Sequence, residues 1–280
     1  MPLEDDLCDI LKKARMGQGL SVGDVSRVTG LSVDDISAWE RGEPVRNRGD
    51  VLVLATALGL RAQSLAQIAF DQWEPQTQRQ PDWIQPVQGS VGGYGVHGYI
   101  VHSDGEAVVI DTAYNASAMI EVLERYTLRL VGICLTHGHA DHADGIEQIL
   151  MHQEVPVYLG PEDVDLLEWR PRADLLSAPC DGEVITIGRR TIRCVATPGH
   201  TPGGMSYRLD DSDFPVCFVG DTLFAGSIGR SNPSSLYPAH LDSVRTRLLA
   251  LSPNYHLLPG HGPATTVAEE RNHNPFVSLE

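Results

Sequence analysis

Apolar residues in the first seventy positions recur at helical spacing. Leu7, Ile10, Leu11 and Ala14 form one stripe, Val22 and Val25 a second, and Ile36 and Trp39 a third. Val51, Leu54, Ala55 and Leu58 follow, then Leu65, Ile68 and Ala69. Recurrence every three to four residues puts each set on one face of a helix, so the segment predicts about five short helices. The stretch DQWEPQTQRQPDW (71–83) breaks the pattern. It is rich in Gln and Pro, lacks apolar periodicity, and reads as a linker. Beyond it the period shortens. YIVHSDGEAVVID (99–111) alternates and turns at Asp104-Gly105, as a hairpin does. Strand-like runs return at 131–136, 190–197, 205–209, 215–219 and 256–258, with helical patterns between them at 115–125, 143–151, 161–168 and 240–251. The expected organisation is an all-α bundle over 1–70, a linker over 71–83 and an α/β domain with mixed strands over 84–280.

Composition narrows the setting. No run of 18 apolar residues occurs, so no membrane span is expected. The start, MPLEDDLCDILKK, is acidic and polar and does not read as a secretory signal. Cys8, Cys134, Cys180, Cys194 and Cys217 are scattered without a CxxC, which points to free, mostly buried thiols in a reducing, cytoplasmic compartment. The net charge of −16 is uneven: residues 1–70 hold eight basic and ten acidic side chains, leaving thirteen and twenty-seven for the rest. A body this acidic repels nucleic acid, so any DNA contact has to come from the first segment. Both lysines of the chain, Lys12 and Lys13, lie there.

The densest chemistry is THGHADH (136–142). His137 and His139 lie two apart and point the same way in an extended segment; Asp141 and His142 follow as the chain turns into a helix near His142. Imidazole and carboxylate together suit zinc and iron, and four donors this close could serve one metal or two. A catalytic site needs further ligands and an open position. VATPGHTPGG offers His200, CFVGDTLF offers Asp221 and HLLPGHGP offers His261, each past a strand-like run and beside glycine. One shared sheet edge is the economical explanation. His97, His102, His152, His240, His256 and His273 lack such context and are assigned no role.

His137-x-His139-x-Asp141-His142, followed by His200, Asp221 and His261, resembles the metallo-β-lactamase fold over residues ~84–280. The resemblance implies an α/β fold, an αββα sandwich with two divalent metal ions at one edge. His137, His139 and His200 would hold the first ion, Asp141, His142 and His261 the second, and Asp221 would bridge them. Zinc is the default, with iron or manganese open. The spans TPGHTPGGMSY, GDTLFAGSIGR and PGHGPATTVAEERNHNPF look like the short bacterial glyoxalase II type, which implies hydrolysis of a thioester. True β-lactamases usually replace some of these ligands, so lactam hydrolysis is not expected. The expected nucleophile is a metal-bridging hydroxide, with Asp141 orienting it as well as ligating. Arg230, nine residues past Asp221, sits where glyoxalase II enzymes place a basic residue for the glutathione carboxylate. The tyrosines of that family appear as Asn232 and Pro263, and the chain ends without the C-terminal helical domain of the long enzymes, which favours a looser thiol specificity. The alternative is a persulfide dioxygenase with one iron on His137, His200 and Asp221.

LSVGDVSRVTGLSVDDISAWERGE (20–43) resembles the helix-turn-helix of the Cro/repressor class, with Gly30 at the turn. The resemblance covers residues ~4–70 and implies a small bundle that often dimerises, so a homodimer is expected. The contact positions depart from the class. Val22 stands where Gln is usual, the recognition helix opens Val33-Asp34-Asp35, and Ala38 replaces another common contact. Carboxylates there oppose phosphate and lack the donors that read guanine. Arg27, Arg41, Arg46 and Arg48 remain as candidate phosphate contacts, and no base-reading residue is assigned. A structural or dimerisation module is the favoured reading, a DNA-binding regulator that senses through the metal domain the rival one.

Overall fold

The computed structural model describes residues 2–76 and 79–277. Five helices come first: α1 (Leu7–Gly17), α2 (Val22–Thr29), α3 (Val33–Glu40), α4 (Arg48–Ala57) and α5 (Ala62–Asp71). Their boundaries follow from local chemistry. Ser21 caps α2 by accepting from the Asp24 amide, and Gly30 closes it at φ +75°. Ser32 and Asn47 cap α3 and α4 in the same way.

The remainder is two six-stranded sheets. The first runs β1 (Ile84–Val91), β2 (Tyr94–Ser103), β3 (Glu106–Ile110), then after α6 (Ala116–Arg125) β4 (Arg129–Cys134). Helices α7 (Ala140–Ala143) and α8 (Ile146–His152) precede its last strands, β5 (Val157–Tyr158) and β6 (Leu176–Ser177). The second sheet holds β7 (Val184–Ile187), β8 (Arg190–Ala196), β9 (Met205–Leu209) and β10 (Val216–Gly220). Helix α9 (Tyr237–Asp242), extended by a π-helical turn over Ser243–Leu248, leads to β11 (His256–Pro259), β12 (Thr265–Thr266) and α10 (Val267–His273). No helix among the described residues is long and apolar enough to cross a membrane.

Strand alternation sorts the core into layers. Val108 and Ile110 of β3 face the second sheet, whereas Ala107 and Val109 face α6 and α8. In β10, Val216 and Phe218 fill the space between the sheets, whereas Cys217 and Val219 face outward. That outer face is covered by Val244, Leu248 and Val267 and, in the same continuous cluster, by Ile10, Leu11, Leu54 and Leu65 of the helical bundle. The helical bundle is therefore packed into the outer helical layer of the sandwich. Polar anchors hold it there. The Arg61 amide donates to the Pro275 carbonyl at 2.8 Å, and Trp73 stacks on His273 at 5.0 Å. Thus the described part of the linker stretch is docked: the Gln76 amide also donates to Glu269 at 2.6 Å. Residues 77 and 78 lie outside the described residues.

Several expected spans shift. The helical run at 143–151 is two helices broken at Gly145, whose φ of +91° ends one turn before the next begins. The run at 161–168 is a 3₁₀ segment, Pro161–Leu166. Strand β1 carries Pro86 and Gly89, which hid it in the sequence; it lies at the sheet edge, where a missing N–H is tolerated. Cys134, Cys194 and Cys217 are buried as expected, Cys8 is partly so, and Cys180 is exposed.

Candidate metal centre

Four strand ends converge on one edge. Strand β4 releases Thr136 and the histidine run; His139 caps α7 in extended geometry, and Asp141 and His142 fall within its single turn, which starts at Ala140, two residues before the expected position. The chain past β8 brings His200, β10 brings Asp221, and β11 brings His261. All seven sequence candidates meet. Three groups have donor atoms close enough to share an ion: His137, His139 and His200; His137, Asp141 and His142; and His142, Asp221 and His261.

The nitrogens are oriented by their outer partners. His142 Nδ1 donates to Asp111 Oδ2 at 2.8 Å, His200 Nδ1 to the Arg230 carbonyl at 2.7 Å, and His261 Nδ1 to the Gly95 carbonyl at 2.6 Å. Thr136 Oγ1 donates to Asp111 at 2.7 Å and accepts from His137 Nδ1 at 3.1 Å. With Nδ1 protonated, each Nε2 presents a lone pair inward. His142 and His261 therefore face each other Nε2 to Nε2 at 3.4 Å, and His200 Nε2 faces His139 Nδ1 at 3.0 Å. Where both facing nitrogens carry lone pairs they repel unless a cation, a metal ion or a proton, lies between them. Two buried atoms, His137 Nε2 and Asp221 Oδ1, have no hydrogen-bond partner, which is costly unless a ligand satisfies them. The donor set, five imidazoles and two carboxylates, suits borderline divalent ions. These residues fit a metal centre.

Electrostatics agree. Asp221 lies 3.3 Å from His142, 3.6 Å from His261 and 3.7 Å from His200, between the two groups. Burial opposes its charge, yet His142 and His261 hold its carboxyl well below the usual range. Burial likewise disfavours protonating His261, but Asp221 and Asp141 outweigh it and raise it to about 9. Burial dominates at His200, pushed down to about 4, and at His137, which His142 and His200 push down further. The carboxylate side of the cage seeks positive charge, whereas His137 and His200 stay neutral.

Packing leaves little freedom. A Cβ on Gly260 would lie 2.3 Å from His142 Cε1 and 2.6 Å from Asp221 Oδ1; one on Gly138 would lie 2.5 Å from the Asp163 carbonyl. Arg230 stands exposed at the mouth of the site beside Asn232, in a cavity of about 660 Å³ that also reaches His139 and His200. Pro263 lies away from that cavity, beside His97 and Tyr99.

Sequence reasoning missed the supporting residues. Asp111 ends the apolar run of β3, a position the pattern shows without its role. Asp163 is buried and accepts from Thr201 Oγ1 at 2.6 Å and the Gly203 amide at 2.7 Å, tying the His200 loop to the histidine run. His240, given no role, is buried and donates to the Thr222 carbonyl at 2.8 Å, steadying the turn after Asp221.

Known proteins share this fold. The metallo-beta-lactamase superfamily model matches residues 91–263, and a helix-turn-helix domain model matches residues 6–67. The chain belongs to the metallo-beta-lactamase superfamily. It is therefore a member of a metal-dependent hydrolase family with an N-terminal helix-turn-helix segment. Hydroxyacylglutathione hydrolase GloC of Haemophilus influenzae is 32% identical over 187 residues, which cover 61% of this chain and 87% of that protein. The crystal structure of BLEG-1 B3 metallo-beta-lactamase superposes with a TM-score of 0.62 at 31% identity, covering 70% of this chain and all of that one. TTHA1623 in a di-iron-bound form superposes with a TM-score of 0.60 at 28% identity, covering 69% of this chain and all of that one.

Proposed function

We propose that the protein is a binuclear metallohydrolase that cleaves a thioester to an acid and a thiol. The observation that carries this reading is the convergence of seven donors, with the imidazoles of His137, His142, His200 and His261 each fixed by an outer hydrogen bond. His137, His139 and His200 would hold one ion, Asp141, His142 and His261 the other, with Asp221 between. Two divalent ions bound there supply hydroxide from water at neutral pH and Lewis acidity toward a carbonyl. The chain's own groups do the positioning. Asp141, partly exposed and 3.2 Å from His261, faces the open side and accepts a hydrogen bond from the attacking water. Asp111 keeps His142 in one tautomer, and the Arg230 carbonyl does so for His200. The Arg230 guanidinium, at the cavity mouth, takes a substrate carboxylate. Thioester specificity rests on the likeness to GloC; zinc is the proposed ion, with the di-iron form of TTHA1623 supporting iron as the other candidate.

The likeness to BLEG-1 favours a second reading, β-lactam hydrolysis at the same centre. Zinc-loaded protein and its His139→Ala variant, assayed with S-lactoylglutathione and nitrocefin, separate the two. Thioester turnover that disappears in the variant supports the proposal. Nitrocefin turnover alone replaces it, and turnover of neither directs attention to oxygen uptake by iron-loaded protein with glutathione persulfide.

The helix-turn-helix bundle is proposed to be structural. Asp35 is engaged as part of the α3 cap, accepting from Ser32 Oγ at 2.7 Å, and Asp34 and Asp35 sit at the helix N-terminus, where carboxylates stabilise the dipole but repel phosphate. Three of the four arginines considered for phosphate contact pair with carboxylates instead: Arg27 with Asp24 at 3.1 Å, Arg41 with Glu43 at 3.6 Å, and Arg48 with Asp71 at 2.9 Å.

A further inference from the structure

The cavity at the metal centre has two walls of different origin. One is the loop after β10, carrying Arg230 and Asn232; the other is α1 of the helix-turn-helix bundle. Asp9, Lys12, Lys13 and Met16 recur at helical spacing along that wall, while Ile10, Leu11 and Ala14 face the bundle core. A helix with one apolar face thus has its opposite face turned toward the metal site.

The two lysines play different parts. Lys13 ion-pairs with Asp5, donates to the Ile228 carbonyl at 2.8 Å and lies 4.9 Å from the centre of the Phe224 ring. Asp5 also takes a hydrogen bond from Ser227. Lys13 therefore clamps α1 to the loop that follows Asp221. Further along, a Cβ on Gly17 would lie 2.3 Å from the Tyr237 ring, so helix and wall are in direct contact. Lys12 has no carboxylate within ion-pairing distance among the described residues, and neither has the Arg230 side chain. In a chain of net charge −16 holding two lysines, one free lysine and one free arginine share a cavity that opens onto His139 and His200. Asp9, the acidic group of that lining, is occupied in part by the Asp6 amide at 3.3 Å.

We infer that the fused bundle completes the substrate pocket, and that Lys12 with Arg230 forms an anion subsite for the thiol portion of the substrate. The inference rests on the thioester reading and deepens it. The favoured leaving thiol carries a carboxylate or phosphate some distance from its sulfur. The volume of about 660 Å³ accommodates a thiol of tripeptide size. The helix-turn-helix fold serves here as a pocket wall whose rigidity is secured by Arg15, which grips Glu40 of α3 through 2.6 and 2.7 Å contacts and the Leu20 carbonyl at 2.8 Å.

The test compares full-length zinc-loaded wild type, Lys12→Met and Lys12→Arg. Each is assayed with S-lactoylglutathione and with the neutral thioester S-lactoyl-N-acetylcysteamine. Calorimetry with S-methylglutathione, an inert thioether, gives a second readout free of turnover. Loss of one charge-assisted contact should raise KM for the anionic thioester about tenfold more than for the neutral one, and weaken the thioether about tenfold. Lys12→Arg should restore both. Equal KM changes for the two thioesters with unchanged thioether binding would overturn the subsite while leaving thioester hydrolysis standing. Lys12-dependent thioether binding without thioester turnover would uphold the subsite and reject the hydrolytic reading. Absence of both would reject the subsite as well.

Discussion

Glu270 of α10 is fully buried, and its carboxylate gathers donors from three segments. The Gly226 amide reaches it at 3.1 Å, Thr265 Oγ1 at 2.7 Å and Asn274 Nδ2 at 2.8 Å; Asn274 also donates to the Ser227 carbonyl at 2.8 Å. The carboxyl thus holds the loop between Asp221 and Arg230 in place. Burial pushes it up from 4.5 to about 7, against the opposing pull of those hydrogen bonds. At about 1.4 kcal/mol per pH unit, the rise corresponds to roughly 3 kcal/mol. The sign follows from which form the fold prefers. Folding favours the protonated acid, so the contribution is fully present below about pH 4.5 and is lost as pH rises through about 7. Glu270→Gln removes the titration and can keep its oxygen toward Gly226 and Asn274 while its amide meets the Thr265 hydroxyl. Urea unfolding of both proteins, held metal-free with chelator, should show the stability difference shifting toward the variant by roughly 2–3 kcal/mol between pH 5 and pH 8. Parallel pH profiles would refute the reasoning, because they would mean that Glu270 titrates alike in the folded and unfolded chains.

Other consequences follow from neighbouring contacts. Asp111→Ala removes the acceptor of both His142 Nδ1 and Thr136 Oγ1; zinc affinity should fall about 10–100-fold in a competition titration, and an unchanged affinity would sink the orienting role. Gly17→Val forces a side chain into the Tyr237 ring and should cost about 1–3 kcal/mol in chemical denaturation; a neutral result would mean that α1 docks less closely than described. The acidic start of α3 should give no sequence-specific gel shift on genomic fragments at physiological salt, and a discrete, competitor-resistant complex would revive the regulator reading.

The sandwich and the seven donors were legible because each depends on local pattern. Strands buried on both faces leave continuous apolar runs, and glycine-flanked His or Asp at their ends marks a shared edge. The Asp104-Gly105 turn, with both residues at positive φ, was readable for the same reason. What escaped depends on distant chain segments. Asp163 lies in a 3₁₀ segment with no signature of its own, and its partners at 201 and 203 are remote in sequence. The role of Lys12 requires knowing that α1 lies against the loop after β10, which no spacing encodes. The contact positions of the helix-turn-helix resemblance favoured a structural module over a DNA reader, but they could not show where the bundle sits: Leu54 and Leu65 are buried in one cluster with Leu248 and Phe276, which ties it to the sandwich.

The binuclear centre is tested most directly by counting metal. Chelated, full-length protein titrated with zinc by calorimetry, with metal content measured independently after gel filtration, should bind about two ions per chain. His261→Ala should bind about one, because His137, His139 and His200 remain grouped without it. Wild type that retains one ion or none, or a His261→Ala variant that still retains two, would contradict the assignment of these seven residues to a two-metal site.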